Sequence, residues 1–298
     1  MTEQKATAVT KVEKDIFTSV MAKVKDFQNK GEIVFPADYI PENALKAAQL
    51  KLYEVQDKNY KPALEVCTQP SIANALLSTV IQGLNPDKKQ CYYIVRGTKL
   101  CMDRSYFGDV HVAKTVNPEI VDIIPKTVFE GDETEVETFM AKDKVIYHKS
   151  NPFERSKDKI KGAYCNVIFS DGSYYSVIMT FEQIKQSWNQ SQMKPVNEDG
   201  SIKKGSTHEK FTIEMCERTI TRKACTPIIN KSSDKNLVAK FARQSDMDSA
   251  EAELAEEVDN EMCSETIDVS EAVDVESQPV NDSGPEPEPE KPQNGPNF

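Results

Sequence analysis

The sequence predicts an α+β fold, with antiparallel β-hairpins packed against helices and a disordered acidic C-terminal tail. Three observations lead there. Several segments carry apolar residues at every third or fourth position, the period of an amphipathic helix. Two pairs of β-rich runs flank two-residue turns that contain glycine, as hairpins do. From residue 246 onward the chain is rich in acid and proline and holds too few apolar residues to bury a core.

Residues 1–10 are polar and are expected to be disordered. From Val12 to Asn29, the residues Val12, Ile16, Val20, Val24 and Phe27 share a helical face, and Gly31 follows as a stop signal. Pro41 opens a second helix through Leu45, Ala48, Leu52 and Val55. Pro70 suits the first turn of a third, in which Ile72, Leu76 and Val80 align and Gly83 takes a left-handed cap position. Cys91 to Arg96 and Lys99 to Met102 flank Gly97-Thr98, and glycine at the first turn position fits type II′. Ser105 to Val116 reads as a helix that ends before Asn117-Pro118. Ile120 to Glu130 is strand-like, and Pro125 within it fits an edge or a bulge. Gly162 to Ser170 and Ser173 to Thr180 flank Asp171-Gly172, the strongest hairpin signal in the chain. Phe181 to Gln192 is helical and residues 193–205 form a polar loop. Ser206 or Thr207 can cap a helix from about His208 to Ala224, which Pro227 is expected to break. Lys231 to Arg243 reads as a short amphipathic helix. These elements define an ordered domain over residues 11–245 and a disordered tail over 246–298.

Charge divides at the same boundary. Residues 246–298 hold 17 acidic residues against one basic, Lys291, so the tail carries −16 and the body +5 within a net charge of −11. A basic body suggests a polyanionic partner. An acidic tail suggests a separate role, either competition with that partner for the basic surface or solubility alone. The seven cysteines form no CxxC pair and no signal peptide precedes them, as in a reduced, cytoplasmic protein. No run of about 18 apolar residues is present to span a membrane.

Catalytic motifs are missing. There is no Gly-x-x-x-x-Gly-Lys-Ser/Thr loop for ATP and no Gly-x-Ser-x-Gly elbow. His111, His148 and His208 lack metal-ligand spacing to one another and to the cysteines. The protein is therefore expected not to be an enzyme. The enzymatic alternative is a metal-dependent nuclease built on Asp103, Asp109 or Glu130. No cofactor is implied, and nothing in the residues shows magnesium assistance.

Binding features are richer. Lys88, Lys89, Tyr92, Tyr93, Arg96, Lys99, Arg104, Tyr106, Phe107 and Lys114 interleave cations with aromatic rings across the first hairpin and the helix after it. Single strands are held in this way, with cations along the phosphates and rings against the bases. Strand alternation sends Tyr92 and Tyr93 to opposite faces, so only one meets a ligand; the sequence leaves open which, and Tyr93 is counted among the candidate DNA-binding residues. On the late helix Arg218 and Arg222 are four residues apart and share a face, with Lys223 beside them and Phe211 and Met215 earlier on that face. Lys204 and Lys210 lie in or next to the preceding loop, where they can clamp a backbone. The hairpin cations and the late-helix cations are expected to line a single trough for a sugar-phosphate chain.

Taken together these stretches resemble the RecT family of phage single-strand annealing proteins. Gln69-Pro70-Ser71 with its helix to Gly83-Leu84-Asn85-Pro86, Cys91-Tyr92-Tyr93-Ile94-Val95, Tyr106-Phe107-Gly108 with Val110 to Lys114, and Glu214 to Lys223 follow the family's order over roughly residues 65–230. Phe107 stands where the family usually has a basic residue, and Arg104 is expected to supply that charge. The resemblance implies ATP-independent binding of single-stranded DNA, annealing of complementary strands through a bound duplex, and self-assembly into rings or helical filaments. It also implies a phage exonuclease and a host single-strand binding protein as partners, in the cytoplasm of a bacterial host. A coating protein that does not anneal is the rival within the same class.

Overall fold

The computed structural model describes residues 2–264 apart from Gln192 and Asp234, with side chains for residues 16–255. The chain opens with four helices: α1 (Thr2–Asn29), α2 (Pro41–Leu52), α3 (Ala63–Val66) and α4 (Gln69–Ile81). Ile16, Val20 and Val24 of α1 and Leu45, Ala48 and Leu52 of α2 are buried, and both helices pack on α4. α4 is buried nearly all round, through Ile72, Ala75, Leu76, Leu77, Val80 and Ile81, so it forms the centre of this half. Pro70 sits in its first turn, and Gly83 follows its C-cap at φ +68°, the left-handed conformation that the sequence pattern requires. Residues 2–10, expected to be disordered, continue α1 as helix.

Strands β1 (Cys91–Arg96) and β2 (Lys99–Arg104) form the expected hairpin about Gly97, whose φ is +58°. α5 (Tyr106–Val116) follows at once, capped by Ser105, whose Oγ accepts from Gly108 N and donates to the Lys89 carbonyl. This lays the first turn of α5 against Gln90. A Cβ on Gly108 would stand 2.1 Å from the Gln90 carbonyl oxygen, so glycine is required there by space and not by φ. Gly108→Ala is expected to lower stability by about 1–3 kcal/mol, read as a shift in the urea midpoint.

The second half is a five-stranded antiparallel sheet of β3 (Ile120–Phe129), β4 (Glu133–Phe139), β5 (Lys142–Lys149), β6 (Ile160–Phe169) and β7 (Tyr174–Thr180), in the order β3-β6-β7-β5-β4. Pro125 lies on the edge strand β3, where its missing N–H costs no ladder bond. The β4–β5 hairpin is absent from the sequence expectations. Every residue of β4 is exposed, so its alternating Glu and Thr give no apolar face to read.

α6 (Phe181–Trp188), α7 (Thr207–Lys210), α8 (Thr212–Asn230) and α9 (Leu237–Ser264) complete the chain. α8 lies across β3 and β6 and buries Cys216, Ile220 and Ala224, while its other side packs along α5. Pro227 does not break α8, which continues to Asn230. Pro227 is near the C-terminus and, like Lys223, exposed, so water reaches the carbonyl it leaves unpaired. α9 is longer than the helix expected to end at Arg243 and crosses the boundary at residue 246, lying on β2, α4 and α5. The expected disorder is thus helix as far as Ser264, and residues 265–298 lie outside the described residues. No described helix is long and apolar enough to cross a membrane.

Candidate nucleic-acid interface

α8 presents its polar face to a groove of about 730 Å³ shared with α6. Met215, Arg218, Arg222 and Lys223 form one wall. Gln183, Gln186, Ser187 and Gln190 form the other, and Trp188 and His208 lie between. Trp188 is fixed by its Nε1 donating to Thr219 Oγ1 at 2.8 Å. His208 packs edge-on against that ring with centroids 4.7 Å apart. Burial, and then the nearby charge of Arg218, lower the His208 pKa, so the imidazole stays neutral around pH 7. Among the described residues none of Arg218, Arg222 and Lys223 enters an ion pair. Three cations outside any ion pair among the described residues thus face a wall of uncharged amides and hydroxyls.

The hairpin and α5 do reach this helix, but through aromatic residues. Tyr92 is exposed and its hydroxyl accepts from Arg218 Nη2 at 3.5 Å, a long contact. Tyr106, at the start of α5, lies within the fields of Glu217 and Arg218. Tyr93, counted among the sequence candidates, is only 7% exposed and its hydroxyl pairs with Thr79 Oγ1 at 2.8 Å. Alternation was the right rule; the hydroxyl of Thr79 inside the helical half decides which tyrosine turns inward.

The two hairpin arginines are placed differently from the expectation. Arg96 forks onto Asp103 at 3.1 and 2.8 Å and also donates to Glu253 at 2.6 Å. Arg104 donates to Asp109 at 2.9 Å, Gln82 at 3.1 Å, the Ala242 carbonyl at 3.0 Å, Ser245 at 3.1 Å and Asp246 at 2.5 Å. Its guanidinium is saturated by the fold and its side chain is 3% exposed, so it cannot supply charge in place of Phe107. Alternation puts Arg104 on the inner face with Tyr93 and Met102 and Arg96 on the opposite face with Tyr92, where α9 covers it; burial of either is tolerable only because acids meet them there. The same pairing commits Asp103 and Asp109, two of the three acids considered for a nuclease, to arginine. Among the described residues no cluster of three or more His, Cys, Asp and Glu is arranged to hold a metal.

The remaining cations are dispersed, all exposed except the half-buried Lys114. Lys88 and Lys114 share a separate concavity of about 740 Å³ with Phe107, His111 and Phe35. Lys89 lies with Lys51 and Tyr92 in another, and Lys99 in a third, between α4 and α9. Lys204 is in the loop before α7, and Lys210 ends α7. The single trough drawn from sequence therefore contracts to Arg218, Arg222 and Lys223, with Tyr92 and Tyr106 beside Arg218. The amide wall formed by α6 and the turn after it was missed, although Gln183, Gln186 and Gln190 recur at helical spacing and carry a readable signal.

The RecT family model matches residues 46–261, from within α2 to near the end of α9. The chain belongs to the RecT family. Membership points this RecT protein to single-strand annealing in DNA recombination, and the four stretches that carried the resemblance fall on α4, β1, α5 and α8. No curated protein matches the sequence.

Proposed function

We propose that this RecT-family protein binds single-stranded DNA along α8 and anneals it to a complementary strand without ATP. The observation that carries this reading is the set of unpaired cations Arg218, Arg222 and Lys223 on the rim of an open groove with two tyrosines beside them. Annealing breaks no bond. Its obstacle is the repulsion of two polyanions and the self-folding of free strands, and a groove that neutralises phosphates reduces both. Correct pairing then supplies about 1.4 kcal/mol per stacked step. Backbone contacts position the strand and leave base edges free, so sequence preference is small. Self-assembly along the strand, and work beside an exonuclease and a single-strand binding protein of a bacterial host, belong to the same proposal. The six described cysteines are free and buried, which supports a reducing, cytoplasmic setting.

Fluorescently labelled complementary oligonucleotides test this directly. The protein is expected to speed their pairing in the absence of nucleotide, whereas a coating protein slows it. If each subunit neutralises about three phosphates, affinity falls with salt at a log-log slope near −2 per subunit. A slope shallower than about −1 counts against the groove.

A further inference from the structure

The acid that begins at Asp246 takes no part in the groove on α8, yet it docks against the hairpin along a defined stripe. Ala242, Ser245, Asp246, Ser249 and Glu253 recur at helical spacing and share one side of α9. The first three of them hold Arg104. The last two hold the other pair: Ser249 Oγ donates to Asp103 Oδ1 at 2.6 Å, and Glu253 accepts from Arg96 at 2.6 Å. Attachment weakens along the helix. Before Asp246, Ala239, Ala242 and Ser245 are buried; from Asp246 to Ala255 only Ala252 is. Arg104 is sealed into the core, whereas Arg96 is roofed on this side by a glutamate whose side chain is 47% exposed.

We infer that the hairpin surface around Arg96 is a second phosphate-binding surface, closed by the Ser249–Glu253 turn of α9, and that a DNA strand enters it by replacing the Glu253 carboxylate. The inference rests on the proposed binding of single-stranded DNA. A backbone phosphate carries the same single charge as Glu253 and accepts guanidinium N–H bonds in the same geometry, so the exchange leaves the local charge unchanged. The surface is continuous with α8. Asp103 pairs across the hairpin with Tyr92, which reaches Arg218, and Asp103 also lies in the field of Arg222. A strand following Arg218 and Arg222 therefore meets the turn of α9 next. The turn acts as a built-in counter-ion that only a polyanion held at neighbouring points displaces.

The test uses the full-length protein, a labelled oligonucleotide and hydrogen exchange over residues 246–255. Glu253→Gln is expected to tighten binding at low salt about threefold. Saturating oligonucleotide is expected to speed amide exchange from Ser249 to Ala255 in the unaltered protein. Arg96→Gln should weaken binding more in the Glu253→Gln background than alone. Binding with exchange in this turn unchanged or slowed overturns the inference and leaves the α8 groove standing. Failure of the unaltered protein to bind the oligonucleotide at all overturns the proposed function and this inference together.

Discussion

Replacing Arg218 and Arg222 together with alanine is expected to weaken single-stranded DNA binding by roughly thirtyfold, because each charge-assisted phosphate contact at a partly exposed site is worth about 1 kcal/mol. The salt dependence should flatten as well, by about 0.7 in the log-log slope for each phosphate no longer neutralised. Stability should change little. Neither arginine is in an ion pair among the described residues, and both line the groove without belonging to the core. The control is Lys88→Ala with Lys114→Ala, which removes the same charge from the other large concavity. If net charge alone drives binding, both double variants lose affinity and slope equally, and the groove on α8 has no special role. If the groove binds the strand, the arginine pair dominates. Tyr92→Ala should then cost about a further 1–3 kcal/mol of stacking with the salt slope unchanged, since a ring neutralises no phosphate. Fluorescence anisotropy over a salt series separates the charge and stacking effects.

The parts legible from sequence are those in which one local rule governs. Gly97 and Asp171-Gly172 marked their hairpins because a two-residue turn admits few residue types, and Pro70 and Gly83 bracketed α4 for the same kind of reason. Arg218, Arg222 and Lys223 could be assigned to an open face because helical spacing separates them from Cys216, Ile220 and Ala224, which are buried. What was illegible depends on distant partners. Arg96 and Arg104 look like ligand-binding cations until Glu253 and Asp246, about 150 residues later in the chain, are brought onto them. Composition assigned that segment to a disordered tail, and a polar stripe gives no apolar periodicity to argue otherwise. Tyr92 and Tyr93 were equivalent by alternation until Thr79 supplied a partner for one of them. β4 escaped notice because Val136 and Phe139, its only large apolar residues, are three apart among Glu and Thr and make no period-2 apolar face.

Arg104→Ala is expected to cost about 3–5 kcal/mol of folding stability, the largest effect of any single substitution considered, because it leaves a buried carboxylate without its partner. The side chains of Arg104 and Asp109 are 3% and 5% exposed, and the guanidinium also satisfies Gln82, the Ala242 carbonyl and Ser245. Burial already raises the Asp109 pKa above the ordinary carboxylate value, with Arg104 opposing that rise. Removing Arg104 frees the rise, and the sign of the pH dependence follows. A carboxyl whose folded pKa exceeds its unfolded pKa binds protons more tightly when folded, so stability falls as pH rises from the unfolded value to the folded one. The deficit of Arg104→Ala should therefore be smallest in mild acid and grow toward neutral pH, in urea titrations at a series of pH values. Arg104→Met with Asp109→Leu removes both charges and should recover part of the loss. If the double variant is no better than the single one, the buried pair is not the source of the stability. If Arg104→Ala leaves the urea midpoint unchanged but abolishes DNA binding, Arg104 faces the ligand after all, and the docking of α9 on the hairpin must be abandoned.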